Sequence, residues 1–131
     1  MIYRDWYNSE ILNKIKKIGY DFENKNKRHY RHYVIDYDDP FDDDPYGEYV
    51  AIPTPREFIE WVLSKGEYYI SVSPEPNYDF GYVFTYNVWQ LSYDGHYDLR
   101  LYKSNFRTYQ EAYEQAAYDL LIFINENNEN K

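Results

Sequence analysis

Apolar residues at helical spacing predict three helices in this chain. The apolar positions of the first are Ile11, Leu12, Ile15 and Ile18. Lysines fill the positions between them, and Gly19 follows directly. This period is that of an amphipathic helix, and a glycine directly after it favours termination. The first helix is therefore expected over residues 9–18.

The second helix has the clearest start signal. Thr54 stands as N-cap, Pro55 as the first helical residue and Glu57 as the third. In such a capping box the threonine and glutamate side chains each accept a hydrogen bond from a backbone N–H group of the first turn. Gly66 is placed to end this helix.

The third helix repeats the signal, with Thr108 as N-cap and Glu111 three residues further on. Its apolar side carries Ala112, Ala116 and Ala117. Side chains this small would let the helix lie close to a sheet. The polar residues 125–131 are expected to fray.

Alternating side chains predict three strands between the second and third helices. They are expected at 68–73, 81–92 and 97–103, with Pro74-Glu75-Pro76-Asn77 breaking the first and Asp94-Gly95 forming the last turn. Because no helix signal interrupts them, they predict an antiparallel meander.

The expected fold class is α+β, with a three-stranded antiparallel meander and helices packed on one face. The α-β-β-β-α core covers residues 54–125. Residues 1–53 would contribute the first helix, an extra strand at 31–37 and an acidic loop, all packing on the core. The whole chain, residues 1–131, is thus expected to form one domain.

Composition makes the expected core aromatic. The chain has 131 residues, of which 44% are hydrophobic, and 19 are Tyr, 7 Phe and 3 Trp. It has no Cys, which excludes disulfides and cysteine zinc sites. Neither a signal-peptide pattern nor an apolar run of membrane-spanning length is present, so a cytoplasmic protein without membrane contact is expected.

The net charge of -9 disfavours nucleic acid as a partner. Binding a phosphate backbone requires Lys and Arg to displace counterions, and the one basic cluster, residues 25–32, is short. A protein partner with a basic surface is favoured instead.

The acidic segment after residue 37 is the predicted partner-binding site. The candidate residues are Asp38, Asp39, Asp42, Asp43, Asp44 and Tyr46. A purely solvated loop is the alternative interpretation. Calcium is disfavoured because a calcium loop beginning at Asp42 would place Pro53 where a bidentate Glu is needed.

The sequence shows no pattern of catalytic residues, and we expect a protein that is not an enzyme and needs no metal or cofactor. A nucleophile elbow and a glycine-rich phosphate loop are both absent. His29 and His32 have no third ligand nearby in sequence, and His96 is expected to be an exposed turn residue.

Aromatic residues occupy both faces of the middle strand. Tyr82, Phe84 and Tyr86 alternate with Val83, and Trp89 follows. The second face would be covered by residues 1–53, or it would be an exposed surface that binds another chain.

Two resemblances rest on short motifs. The α-β-β-β-α order, with 106–112 leading the last helix, resembles the double-stranded-RNA-binding domain in topology. That family has lysines where this chain has Thr108-Tyr109-Gln110-Glu111, so the resemblance implies a fold and argues against RNA binding. Residues 52–63, the aromatic meander and 108–116 are similar to small uncharacterised proteins of phages and mobile elements of gut Bacteroides-type bacteria, which implies an origin.

The expected function is a non-catalytic protein-binding module, as a phage or mobile-element accessory protein or an acidic inhibitor that imitates nucleic-acid charge. The alternatives are a homo-oligomeric structural or assembly component and a small-molecule-binding domain with an aromatic pocket.

Overall fold

The computed structural model describes residues 6–20, 32–36, 48–79 and 81–129. Within these ranges the helices are α1 (Ser9–Lys17), α2 (Pro55–Ser64) and α3 (Tyr109–Glu129). The strands are β1 (Tyr33–Asp36), β2 (Glu48–Ala51), β3 (Tyr68–Asn77), β4 (Gly81–Leu91) and β5 (Tyr97–Phe106).

The meander is the central layer of the fold. β3, β4 and β5 form an antiparallel sheet in that order, with Val88 of β4 opposite both Ile70 and Leu101. α3 contacts all three strands, and α2 packs against α3 and β3. The predicted α+β class, with helices packed on a three-stranded meander, is confirmed.

The predicted helix starts are confirmed in their atomic detail. The Thr54 hydroxyl accepts from the backbone N–H of Glu57 at 3.1 Å, and the Glu57 carboxylate accepts from the backbone N–H of Thr54 at 3.0 Å. At α3 the Thr108 hydroxyl accepts from the N–H of Glu111 at 3.1 Å. Ala112, Ala116 and Ala117 are fully buried, as expected for a helix lying close to its neighbours.

Strand β3 runs further than its sequence predicts. Pro74 and Pro76 were expected to end it, yet they pair in register with Phe84 and Tyr82 of β4. β3 is an edge strand, so a proline whose nitrogen faces the outer side of the sheet costs no hydrogen bond between strands. The prolines therefore belong to the strand and remove hydrogen-bond donors from its free edge.

Strand β5 carries two irregularities. The register shifts between Val88 and Trp89 and again between Phe84 and Tyr86. Asn105, near the second shift, has a φ of 72°, a left-handed conformation that asparagine tolerates better than most residues. The shifts turn Leu101 toward the helices, whereas strict alternation would have left it on the same face as Leu99.

The strand expected at 31–37 is present as β1, and it pairs antiparallel with β2, which the sequence did not predict. α1 contacts β1 and α3. Trp6, which is fully buried, packs its ring against Phe58 and donates its indole N–H to the Pro53 carbonyl at 2.8 Å. The described N-terminal residues thus pack on the helices.

The last helix also continues beyond its expected end. Residues 125–131 were predicted to fray, but α3 runs to Glu129. The buried Asn125 donates to the carbonyls of Lys14, at 3.2 Å, and Leu121, at 3.0 Å. The bond to Lys14 ties this part of α3 to α1, which local sequence could not reveal.

Candidate functional site

The two faces of the meander differ in what covers them. On the helix side, Tyr86 and Val88 are buried, and the Tyr86 hydroxyl donates to the Asp119 carboxylate of α3. Asp119 also accepts from Lys103 at 3.1 Å and from Gln115 at 2.9 Å. Burial first, and then the bond to Asp119, raises the pKa of Tyr86. These contacts hold the helix layer on one face of the sheet.

The opposite face, here called the open face, carries almost no charge. Strand pairing and alternation place on it Tyr69, Ser71, Ser73 and Glu75 of β3, Val83, Thr85, Asn87, Trp89 and Leu91 of β4, and Tyr97, Leu99, Tyr102 and Ser104 of β5. Glu75 is the one charged residue among these positions. The two cations of β5, Arg100 and Lys103, are turned to the helix side, where they bond to Gln90 and Asp119.

Three rings form a shallow cleft at one end of the open face. Tyr69 lies 5.8 Å from Trp89 and 6.4 Å from Tyr97 between ring centroids, with interplanar angles of 36° and 59°. We call this the aromatic cleft, and its volume is about 360 Å³. Tyr69, Tyr97 and the neighbouring Leu99 are 55%, 51% and 52% exposed. Clusters of large apolar side chains at this exposure are a common feature of interaction surfaces.

Next to the aromatic cleft the open face becomes polar without becoming charged. Ser71, Asn87 and Tyr102 form the next row across the three strands. Beyond them, Thr85 is fully buried and its hydroxyl bonds to that of Ser104 at 2.8 Å. The surface therefore offers ring faces at one end and the neutral hydrogen-bonding groups of Ser71, Asn87 and Tyr102 beside them, whereas Thr85 is not accessible.

The part of residues 1–53 that the structure describes packs on the helix layer, and the rest of the predicted cover of this face lies outside the described residues. Tyr20 packs on Trp61 of α2, at 5.1 Å between ring centroids, and Trp6 packs on Phe58. Both contacts lie on the helix layer. The open face is exposed at its aromatic end, around Tyr69, Tyr97 and Leu99, whereas Val83 and Thr85 further along β4 are buried.

The predicted partner-binding residues lie outside the described residues. This applies to Asp38, Asp39, Asp42, Asp43, Asp44 and Tyr46. His29 also lies outside them, while the ring of His32 stacks on that of Tyr7 at 4.0 Å. His96 is an exposed turn residue, as predicted, with its Nε2 3.9 Å from a carboxylate oxygen of Asp94. Among the described residues no cluster of three or more His, Cys, Asp or Glu could hold a metal ion.

A cavity lies on the helix side, where residues at the C-terminal ends of α1, α2 and α3 face the sheet. Its volume is about 720 Å³. Its polar groups bind one another, since Gln90 donates to Glu67 at 2.9 Å and accepts from Arg100 at 3.2 Å. Lys65 lies over the Trp61 ring, with its Nζ 5.1 Å from the centroid. Because these groups already have partners, the cavity presents fewer free contacts than the open face.

Tyr68 lines that cavity and is held as a neutral phenol. Burial raises its pKa to about 12, and the nearby Glu67 carboxylate adds to the rise while Arg100 opposes it. A phenol with a pKa this high is a poor proton donor near neutral pH. The residue is therefore better suited to packing, which its edge-on contact with Phe123 at 6.4 Å shows.

Comparison with protein-family models, curated proteins and solved structures found no match. No helix among the described residues is long and apolar enough to cross a bilayer.

The aromatic cleft was not among the residues that sequence reasoning singled out. Alternation did place Tyr69 on the face opposite Tyr68, and the sequence did show aromatic residues on both faces of β4. What was missing was the register that sets Tyr69 opposite Trp89 and brings Tyr97 within reach. Such cross-strand pairing is decided by contacts between residues distant in sequence.

Proposed function

We propose that this protein is a non-catalytic module that binds another protein through the open face of its meander. The observation that carries the proposal is the half-exposed group of Tyr69, Tyr97 and Leu99 on an almost uncharged face of a chain whose net charge is -9. A surface that stays apolar while the rest of the chain is strongly acidic fits a contact that excludes water.

The side chains of the open face have the chemistry of protein-binding surfaces. Tyr and Trp bring large contact areas at a small cost in conformational entropy, and Ser and Asn provide adaptable hydrogen bonds. Here Tyr69, Trp89 and Tyr97 supply the first kind of contact, and Ser71 and Asn87 supply the second. Rings supported by neighbouring rings on a sheet are also ordered before binding, which reduces the cost of association.

The size of the open face supports a transient complex. A ten-residue strand is about 33 Å long and three strands are about 14 Å wide, so the projected area of the face is roughly 450 Å², and its part at Val83 and Thr85 is buried. A standard interface buries about 800 Å² on each partner, and permanent dimers bury more. We therefore favour a separable partner over the alternative of a stable homo-oligomer.

The charge of the chain defines the kind of partner. At -9, long-range attraction favours a protein with a basic surface and accelerates its approach. We keep the acidic residues Asp42, Asp43 and Asp44 in the proposal as contributors to this attraction. An accessory role in a phage or mobile element, or inhibition of a nucleic-acid-binding protein, would be consistent with such a partner.

A binding experiment with paired tyrosine variants tests the proposal. The double variant Tyr69→Ser, Tyr97→Ser removes two rings of the cleft, whereas Tyr78→Ser, Tyr93→Ser removes two fully exposed tyrosines from the turns on either side of β4. Proteins captured from the source cell by the wild type are identified by mass spectrometry and purified. Affinity for each is then measured by calorimetry.

We expect the cleft variant to bind its partner at least tenfold more weakly and the turn variant to bind like the wild type. Equal affinity of both variants would contradict the proposal. Analytical ultracentrifugation of the free protein provides a second criterion: we expect a monomer, and a stable dimer that the cleft substitutions dissociate would support the homo-oligomer instead.

A further inference from the structure

We propose that the aromatic cleft of Tyr69, Trp89 and Tyr97 binds a lysine or arginine side chain that projects from the protein partner. This inference rests on the proposed function and specifies the chemical group that the open face recognises. It is carried by the geometry of the three rings and by where the chain places its own cations.

Elsewhere in the molecule, cations already lie over aromatic rings. The Lys65 Nζ lies 5.1 Å from the Trp61 ring centroid, and the Arg56 guanidinium lies 6.0 Å from that of Tyr113. Both distances are within the range of a cation–π interaction. Among the described residues, none provides a cation over the rings of the aromatic cleft.

The cations nearest in sequence are directed away from the cleft. Arg100 bonds to Gln90 and pairs with Asp98 at 3.7 Å, and Lys103 pairs with Asp119 at 3.1 Å. All of these partners lie on the helix side of the sheet or at its edge. Within the described ranges, the electron-rich ring faces of the cleft thus have no cation of the chain over them.

The arrangement of the rings suits a positive group better than a purely apolar one. Tyr69 is inclined by 36° to Trp89 and by 59° to Tyr97, and the three rings line one shallow cleft. An aromatic ring carries negative potential on its face, so a cation that enters the cleft is attracted by each ring whose face it contacts. An alkyl side chain would gain the same contact area without this electrostatic attraction.

The surroundings of the cleft add to its attraction for a cation. Tyr97 begins β5 directly after the turn that contains Asp94. The Ser92 hydroxyl donates to the Asp94 carboxylate at 2.6 Å and holds its pKa below the ordinary value. Asp94 is therefore ionised at neutral pH. Together with a net charge of -9, it makes a basic segment the complementary occupant.

A pair of peptides distinguishes cation recognition from apolar contact. One is an acetylated glycine tripeptide amide with lysine in the middle, and the other has norleucine, which keeps the alkyl chain and lacks the charge. Each is titrated into the ¹⁵N-labelled full chain, and the three indole N–H signals are followed by NMR. A Trp89→Phe variant identifies the signal of Trp89.

The other two tryptophans serve as internal controls. The indole N–H of Trp6 is buried and bonded to the Pro53 carbonyl, and Trp61 already lies under Lys65. Their signals should stay in place, and the native position of the Trp6 signal also shows that each variant is folded.

We expect the Trp89 signal to move with the lysine peptide at about tenfold lower concentration than with the norleucine peptide. This factor corresponds to a difference of about 1.4 kcal/mol in binding free energy. Tyr97→Ser should abolish this difference, and Tyr93→Ser should leave it intact. Equal titrations with the two peptides, or no movement with lysine, would overturn the inference.

Loss of partner affinity in the Tyr69→Ser, Tyr97→Ser variant would still support the binding module, so the two proposals can fail separately.

Discussion

Trp6 provides the strongest test of whether the N-terminal residues and the meander fold as one unit. Its side chain is fully buried, its ring lies 5.5 Å from that of Phe58, and its N–H bonds to the Pro53 carbonyl. Trp6→Ala removes about 200 Å² of buried surface, worth about 5 kcal/mol at 25 cal/mol per Å². Replacing a large aromatic side chain in a core by alanine typically lowers the free energy of unfolding by about 3–5 kcal/mol.

The lost hydrogen bond adds to that cost. Without the indole, the carbonyl of the buried Pro53 loses its partner, which costs about 1–3 kcal/mol. Water that enters the cavity would bond to this carbonyl and offset part of the cost. We therefore expect Trp6→Ala to lower the free energy of unfolding by about 4–6 kcal/mol in total. A chain of 131 residues has a stability of about 7–20 kcal/mol, so the variant should fold but unfold far more easily.

Urea denaturation followed by circular dichroism measures this loss. The wild type should unfold in one transition, and Trp6→Phe, which keeps a ring beside Phe58, should lose only about 1–3 kcal/mol. Tyr93→Ala changes a fully exposed aromatic residue and is the matched control. If Trp6→Ala and Tyr93→Ala had the same stability, or if the wild type unfolded in two steps, the N-terminal residues would not belong to the cooperative unit.

Two further predictions concern buried phenols. Tyr86→Phe removes the hydroxyl that donates to Asp119, while Asp119 keeps its contacts with Lys103 and Gln115. Urea denaturation should show an unfolding free energy that is lower by about 1.5–2 kcal/mol. An unchanged unfolding free energy would show that the bond is not maintained in solution. Tyr68 has a folded pKa of about 12 against 10.0 for the ordinary group, so its contribution to stability is complete below pH 10 and declines as the pH rises to about 12. Tyr68 alone should contribute up to about 1.4 kcal/mol per pH unit to the fall of the unfolding free energy, and the fall should be less steep by that contribution in Tyr68→Phe; an unchanged slope in that variant would contradict the assigned cause.

Local signals in the sequence predicted the elements whose physics is local. Thr54, Pro55 and Glu57 specify a helix start through bonds within four residues, and the structure has those bonds. The alternation from residue 68 onward specifies strands because side-chain direction follows from backbone geometry alone. The fold class followed from the order of these elements.

The features that the sequence did not predict depend on distant contacts. Pro74 and Pro76 fit in β3 only because that strand lies at the edge of the sheet, which is a property of strand order. β2 exists through its pairing with β1, and the end of α3 is held by the bond from Asn125 to Lys14. The aromatic cleft belongs to the same class, since it requires rings from three strands in one register.

The arrangement of edges and faces explains why binding should use the open face. An unprotected sheet edge pairs with other strands, and natural proteins block it with proline or with bulges. Here Pro74 and Pro76 interrupt the donors of β3, and two register shifts with a left-handed Asn105 interrupt the edge of β5. Both edges of the meander are therefore poor templates for strand addition. With the helices on one face, the surface that our proposal assigns to the partner is the aromatic end of the open face, where Tyr69 and Tyr97 remain half exposed.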